Sequence, residues 1–308
     1  MEIHQLRYFC AVAKNGTFTR AAMAERVAQP SLSQQIQKLE NELGAKLFER
    51  LPRSVQLTSF GAAFLPKAER ILRELSDAKA EIVELSGREG GELLLGAIPT
   101  IAPYLLPMVL SRLSRSHPSI TVKITEDTTH VLVEHLHKGT LQMIIAALPV
   151  EGTDLSCFDL FRESFFAVIP ENHLLAGRKS VRMEELRKEP FLLMKEGHCF
   201  RESTLAVCRK SKVAPNVVFE SGQFATILGL VSAGIGVSAV PEMAVQPAAG
   251  CKFIPLANSN AGRRIGAVVL SRHFQSKTER LFLDLLKQVG TTMNRPNNKM
   301  QFQRTAPL

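Results

Sequence analysis

A chain of 308 residues, 45% hydrophobic and 22% charged, carries enough apolar material for more than one core, which excludes a disordered or fibrous protein. The formal net charge of +9 suits a polyanionic partner, but the cations are spread along the chain, so their local placement has to carry that inference. The five cysteines stand scattered at positions 10, 157, 199, 208 and 251, a set that argues against a secreted disulfide framework and for reduced thiols in the cytoplasm.

The opening MEIHQLRYFC lacks the basic-then-apolar layout of a signal peptide. Residues 5–13 read as a helix with Leu6, Phe9, Cys10 and Ala13 on one face, stopped by Asn15-Gly16. A second helix starts near Thr17, and Ala21, Ala22 and Ala24 keep it slim enough for close packing. The third, residues 30–43, has Pro30 in its first turn and Gly44 just past its end. Leu32, Ile36, Leu39 and Leu43 form its expected buried stripe, while Gln29, Ser31, Ser33, Gln34, Gln35 and Lys38 face outward. Hydroxyls for phosphates and amides that pair with adenine suit a helix lying in a major groove. Residues 47–58 predict a two-stranded wing in which Arg50 and Arg53 lie along the flanking backbone. Each polar residue taken singly fits a solvated helix face better than a DNA contact; the succession of helix, turn, capped helix and arginine wing favours DNA.

The run FTRAAMAERVAQPSLSQQIQKLENELGAKLFER resembles the winged helix-turn-helix of LysR-type transcriptional regulators, from its Gln29-Pro30-Ser31 opening to its closing Leu-Gly-x-x-Leu-Phe-x-Arg. Beyond Thr58, residues Phe64, Ala68, Ile71, Leu75, Ala78, Ile82 and Leu85 recur at spacings of four and three, which predicts a linker helix that dimerises through Ile71, Leu75, Ala78 and Ile82. A dimer implies a roughly palindromic double-stranded operator. After the break at residues 87–91, short apolar runs alternate with helical patterns, the mark of an α/β fold. Strands are expected at 92–98, 120–125, 143–147, 165–169, 191–194 and 266–270, and helices at 105–116, 129–138, 181–187 and 224–233. The apolar stretch 227–240 is too short and too rich in Gly and Ser to span a bilayer. The pattern resembles the two-lobed, periplasmic-binding-protein-like effector domain of the same family. The expected fold is therefore an all-α winged helix-turn-helix (1–58), a linker helix (59–88) and a two-lobed α/β domain (89–290), followed by a disordered tail (291–308). Lobe I takes about 92–163 and 267–290, and lobe II about 164–266.

One stretch, EGHCFRESTLAVC, places Cys199 and Cys208 nine positions apart with His198 and Arg201 near the first. Cations beside a thiol favour the thiolate that attacks peroxide. Buried structural thiols, or a metal site on His198, Cys199 and Cys208 lacking a fourth ligand, are the other readings open to these residues. Cys10 and Cys157, in apolar settings, are expected in the core. If residues 201–208 stay helical, a ~1.5 Å rise per residue sets the two cysteines ~13 Å apart, beyond the ~7 Å bridging limit, so a bond between them requires unwinding.

Gly197-His198-Cys199 with Cys208 following, together with the run IPTIAPYLLP at 98–107, is similar to the hydrogen-peroxide-sensing members of the LysR-type family. That resemblance implies Cys199 as the peroxidatic and Cys208 as the resolving cysteine, with Thr100, Thr129 and His198 around the peroxide. It further implies an activator of oxidative-stress genes that meets RNA polymerase, as a homodimer pairing into a homotetramer. The chain departs from such members at Ser221-Gly222-Gln223-Phe224-Ala225-Thr226, where the acidic residue before Thr226 is missing. The alternative is a family member answering a small organic ligand in the inter-lobe cleft, with Cys199 not redox-active. No Ser-His-Asp order, metal signature, Walker loop or dinucleotide fingerprint appears, so neither an enzyme, a cofactor nor a metal is expected.

Overall fold

The computed structural model describes residues 1–51, 54–85, 90–258, 261–271 and 273–293. They form two compact units, one built on the first 88 residues and the other on most of the remainder.

In the first unit α1 (Ile3–Asn15), α2 (Phe18–Ala24) and α3 (Gln29–Leu43) precede a hairpin of β1 (Phe48–Arg50) and β2 (Val55–Leu57), and then α4 (Ser59–Leu85). A capping box of Glu2 and Gln5 opens α1, and Gly16 closes it at φ +68°, a conformation that costs glycine little. Thr17 caps α2 by accepting from the Arg20 amide. Ala21 and Ala22 are buried without bulk, and Phe9 packs its ring 5.2 Å from Phe48 and 5.3 Å from Phe64. Leu32, Ile36 and Leu39 are fully buried, but Leu43 is 40% exposed, contrary to the expected stripe. Helix α3 ends there on Gly44, and the buried polar residue of its last turn is Glu40.

Glu40 reaches into the start of the hairpin. Its Oε1 accepts from the Leu47 amide (2.8 Å) and the Phe48 amide (3.3 Å), and its Oε2 meets Lys46 Nζ at 3.0 Å. Glu40→Ala would leave two buried donors unpaired, so it is expected to destabilise this unit by roughly 2–4 kcal/mol in a urea melt.

The second unit begins with β3 (Gly91–Ala97), α5 (Ala102–Ser116), β4 (Ile120–Glu126), α6 (Thr129–His137) and β5 (Met143–Leu148). Strands β4 and β5 pair in parallel on either side of β3, as crossovers through helices require. The long β6 (Leu155–Pro170) leads into a second lobe of β7 (Pro190–Met194), α7 (Cys199–Lys210), β8 (Asn216–Ser221), α8 (Phe224–Ser232), β9 (Ser238–Pro241) and β10 (Cys251–Pro255). Strand β11 (Gly262–Leu270) returns to the first lobe, where α9 (Lys277–Met293) follows. The main sheet runs β10-β6-β11-β5-β3-β4 with β9 also on β6, so β6 and β11 are the two strands shared between lobes. The helix expected at 181–187 is instead a single 3₁₀ turn, Met183–Leu186, pinned by the buried Met183 and Leu186. Phe165, Phe191, Phe200, Ile227 and Val240 belong to the core of the second lobe. Among the described residues no helix is long and apolar enough to cross a membrane.

Candidate functional site

On α3, Gln29, Pro30, Ser31, Gln34 and Lys38 are exposed and Ser33 is half-buried, so one helix carries amide, hydroxyl and ammonium groups on its open side. Gln35 departs from that face: its side-chain oxygen accepts from Gln5 Nε2 at 3.1 Å. Arg50 ends β1, while Arg53 lies outside the described residues. Along α4, Ala68 is buried in the unit's own core and Phe64 packs against it. Ile71 (41%), Ala78 and Ile82 (66%) remain exposed and Leu75 half-buried, which leaves an apolar row facing away from that core.

The cysteine stretch folds as helix α7, with Cys199 as its first residue and Cys208 in its last turns. Gly197, at φ +89°, turns the chain into it, and His198 is the N-cap. Cys199 is half-buried at the positive end of the helix dipole, where an anion is stabilised. Cys208 is 1% exposed, and burial pushes its thiol up to about 11. The cations expected beside Cys199 are arranged otherwise. Arg201 Nη1 donates to the Met194 carbonyl (3.0 Å) and to Glu220 Oε1 (2.6 Å), so its charge is compensated on the far strand. Burial, reinforced by Lys195 and opposed by Asp127, holds His198 below the usual histidine range, which keeps the imidazole neutral at pH 7.

Cys199 opens onto a cavity of about 420 Å³ that Thr129, His130, Pro149, His198 and Glu202 also line. Thr129 Oγ1 is the one fully buried side-chain polar atom, among the described residues, without a hydrogen-bond partner. Such an atom calls for an explanation, since buried hydroxyls are nearly always satisfied. Thr100 does not line this cavity. Its hydroxyl accepts from Arg263 Nη1 (2.8 Å) and its carbonyl from Arg263 Nη2 (3.1 Å). Arg263 also donates to Glu163 Oε1 at 2.7 Å, and its guanidinium lies 5.2 Å from the centre of the Phe200 ring, next to Cys199 in the chain. This buried group escaped the sequence reading. Its signal in the sequence is Glu163, beside Arg162 in β6, and Arg263, beside Arg264 at the head of β11, each just ahead of an apolar run.

Cys157 is exposed rather than in the core, because it falls on the open side of β6. Cys10 is half-buried, and burial, with Glu69 and Glu25, pushes its thiol up to about 12. Cys251 is buried, with its sulfur 3.4 Å from the Leu228 carbonyl. No group of three or more His, Cys, Asp or Glu side chains that could hold a metal occurs among the described residues.

The sequence matches the bacterial regulatory helix-turn-helix of the LysR family over residues 3–62 and the LysR substrate binding domain over residues 86–291. The chain belongs to the LysR family of transcriptional regulators. A LysR-family relative in Mycobacterium avium, named a probable hydrogen peroxide-inducible genes activator, is 37% identical over 270 residues, 86% of this chain and 87% of that one. Full-length OxyR from Pseudomonas aeruginosa, solved with a cysteine replaced by aspartate, superposes with a TM-score of 0.76 at 32% identity, covering 93% of this chain and 95% of that one. A cysteine mutant of OxyR from Corynebacterium glutamicum, solved with hydrogen peroxide bound, gives a TM-score of 0.65 at 29% identity, over 100% of this chain and 97% of that one. The winged helix-turn-helix and the two-lobed α/β domain of this LysR-family chain are thus shared with the OxyR structures.

Proposed function

We propose that the chain is a cytoplasmic, DNA-binding regulator of oxidative-stress genes that senses hydrogen peroxide through a reversible disulfide between Cys199 and Cys208. The observation that carries this reading is that Thr129, whose hydroxyl is buried and unpartnered, lines the cavity onto which Cys199 opens. A peroxide there has a hydroxyl to hold it and a sulfur to attack it. The Cys199 thiolate attacks one peroxide oxygen, the O–O bond breaks, and the leaving hydroxide takes a proton to depart as water. The neutral His198 imidazole lines the same cavity and is suited to relaying that proton. The sulfur of Cys208 then displaces hydroxide from the resulting sulfenic acid, and its own proton completes the second water. Each peroxide is reduced to two waters as two thiols become one disulfide, and a cytosolic dithiol reverses the bond. The chain consumes peroxide only by oxidising itself, and we assign it no enzymatic activity, cofactor or metal.

Since Cys199 and Cys208 lie on one helix, bridging them requires α7 to unwind, which changes the surface of the second lobe. Peptide mapping after a brief, low-dose peroxide pulse tests the reading. A 199–208 disulfide is expected; a Cys199 that stays free while the target promoter switches overturns it in favour of a small organic effector.

On DNA, the exposed face of α3 enters the major groove of a roughly palindromic operator, with Arg50 and Arg53 on the flanking backbone. Gln34→Ala is expected to cost about 1–3 kcal/mol on the operator and little on unrelated DNA, measured by competition binding. The row of Ile71, Leu75, Ala78 and Ile82 pairs with a second copy, and dimers pair into a tetramer that contacts RNA polymerase. Leu75→Asp would place a charge in that seam and should yield monomers by light scattering.

A further inference from the structure

Hydrogen peroxide fills only a small part of the cavity of about 420 Å³ beside Cys199, so shape alone does not choose the oxidant. Charge has to be weighed next. The first residue of a helix sits where anions collect, because free amides and the helix dipole favour negative charge. Cys199 holds that position in α7, yet the groups around it oppose the rule. Glu151 and Glu202 line the cavity, and neither lysine nor arginine does so among the described residues.

Glu202 belongs to the first turn of α7, three residues past Cys199 and hence on the same side of the helix, and Glu151 follows closely on β5. Both are solvent-exposed as well as lining the cavity, which puts them at its mouth. Neither is paired with a cation among the described residues. The nearby cations are engaged elsewhere. Arg201 is held by Glu220 Oε1 at 2.6 Å, and Lys195, which acts on His198, is opposed there by Asp127. Val133, Pro149 and Val150 complete an apolar wall, and low-dielectric walls concentrate the field of like charges in a cleft.

We propose that Glu151 and Glu202 form a charge filter on Cys199, admitting uncharged peroxide and holding off anionic oxidants of the peroxymonosulfate kind. The proposal rests on the reading above in which Cys199 is the reacting thiol. Hydrogen peroxide carries no charge at pH 7, so the two carboxylates do not slow its entry. An anion has to pass both of them before it reaches the sulfur, which should lower its rate about tenfold. With Arg201 turned toward the cavity instead of toward Glu220, anions would be drawn in, and the selectivity would be reversed.

A matched pair of thiol reagents reads the filter directly: iodoacetamide is neutral, and iodoacetate, of nearly the same size, is an anion. Each alkylates the sulfur with loss of iodide. Their rates at Cys199 in the reduced, full-length chain are followed by mass spectrometry of the peptide that holds it. The preference for iodoacetamide should exceed that of the uncharged thiol N-acetylcysteinamide about tenfold. Glu151→Gln and Glu202→Gln together should bring the ratio close to that of the free thiol, and Glu202→Lys should move it toward iodoacetate. Gln at 202 also removes an acid from the first turn of α7, but a looser helix speeds both reagents alike and cancels in the ratio. Salt should raise the parent's rate with iodoacetate and hardly move that of the double variant, a response that damage to the fold does not imitate. Peroxymonosulfate extends the test to oxygen transfer: the Cys199 thiolate takes its outer oxygen and sulfate leaves. Relative to hydrogen peroxide, its rate should rise about tenfold in the double variant. A ratio unmoved by the double substitution overturns the filter. Should peroxide leave Cys199 a free thiol, the sensor reading falls, while the alkylation ratio still decides whether the two carboxylates select by charge.

Discussion

Serine at position 199 is expected to abolish both peroxide-driven thiol oxidation and the transcriptional response, whereas serine at 208 should leave a Cys199 that reacts but is not resolved. The two sulfurs differ in kind because their surroundings differ. Cys199 is half-buried, first in its helix and open to a cavity, while Cys208 is 1% exposed with its thiol pushed up to about 11. A thiol so buried is protonated and poorly placed for attack until the helix opens. Cys208→Ser should therefore accumulate a sulfenic acid that a dimedone-type reagent traps, and with excess peroxide a sulfinic acid that dithiols do not reverse. Helix α7 is suited to opening. Ser203 and Thr204 hydrogen-bond back to the carbonyls of Cys199 and Phe200, at 3.0 and 2.9 Å, a pattern that mildly destabilises a helix. Amide exchange across residues 201–208 should rise on oxidation more than exchange in β3 or β5. A Cys199→Ser chain that still switches its promoter with peroxide would sink the sensor assignment.

How far the sequence reached depends on whether a feature is local. Thr17, Gly16 and Gly44 cap or end helices through their own backbone neighbours, and all three act as their residue types suggest. Leu43 misled because it keeps the apolar spacing of the stripe but is the last residue of the helix, which Gly44 ends before the position is covered, and Glu40 because its partners are amides of the following hairpin. Strand β8 carries exposed Val218 and Phe219, so no alternation of inside and outside marks it. His198 and Arg201 look like a cationic pair beside Cys199 in one dimension, yet the fold turns Arg201 to Glu220 and buries the imidazole enough to keep it neutral. Spacing cannot bring Thr129 to Cys199, since the two stand on different helices. Family resemblance implies both, and both line one cavity. Thr100 was named by the same route, but its hydroxyl is engaged by Arg263, which places it behind Phe200 in the support of α7 rather than in the cavity lining.

Thr129→Val separates a hydroxyl kept for chemistry from one kept for folding. In the reduced protein Oγ1 is buried and has no partner, an arrangement that costs about 1–3 kcal/mol relative to a satisfied group. Valine has nearly the same shape and no such debt, so the reduced form should become more stable by up to about 1 kcal/mol, a rise in Tm of roughly 2–4 °C for a domain of this size. A fold that retains an unsatisfied hydroxyl in spite of this gives it a partner in another state, and on the proposed reading that partner is the peroxide. Deleting the hydroxyl should accordingly slow oxidation of Cys199 about tenfold, equivalent to one hydrogen bond lost at the transition state. Thr129→Ser, which keeps the oxygen, should restore much of the rate. The two readouts run in opposite directions, so general damage to the lobe cannot imitate them: damage lowers both. A valine variant that is more stable and still oxidised at the parental rate would show that the hydroxyl serves neither the fold nor the peroxide, and the cavity beside Cys199 would then need a different occupant.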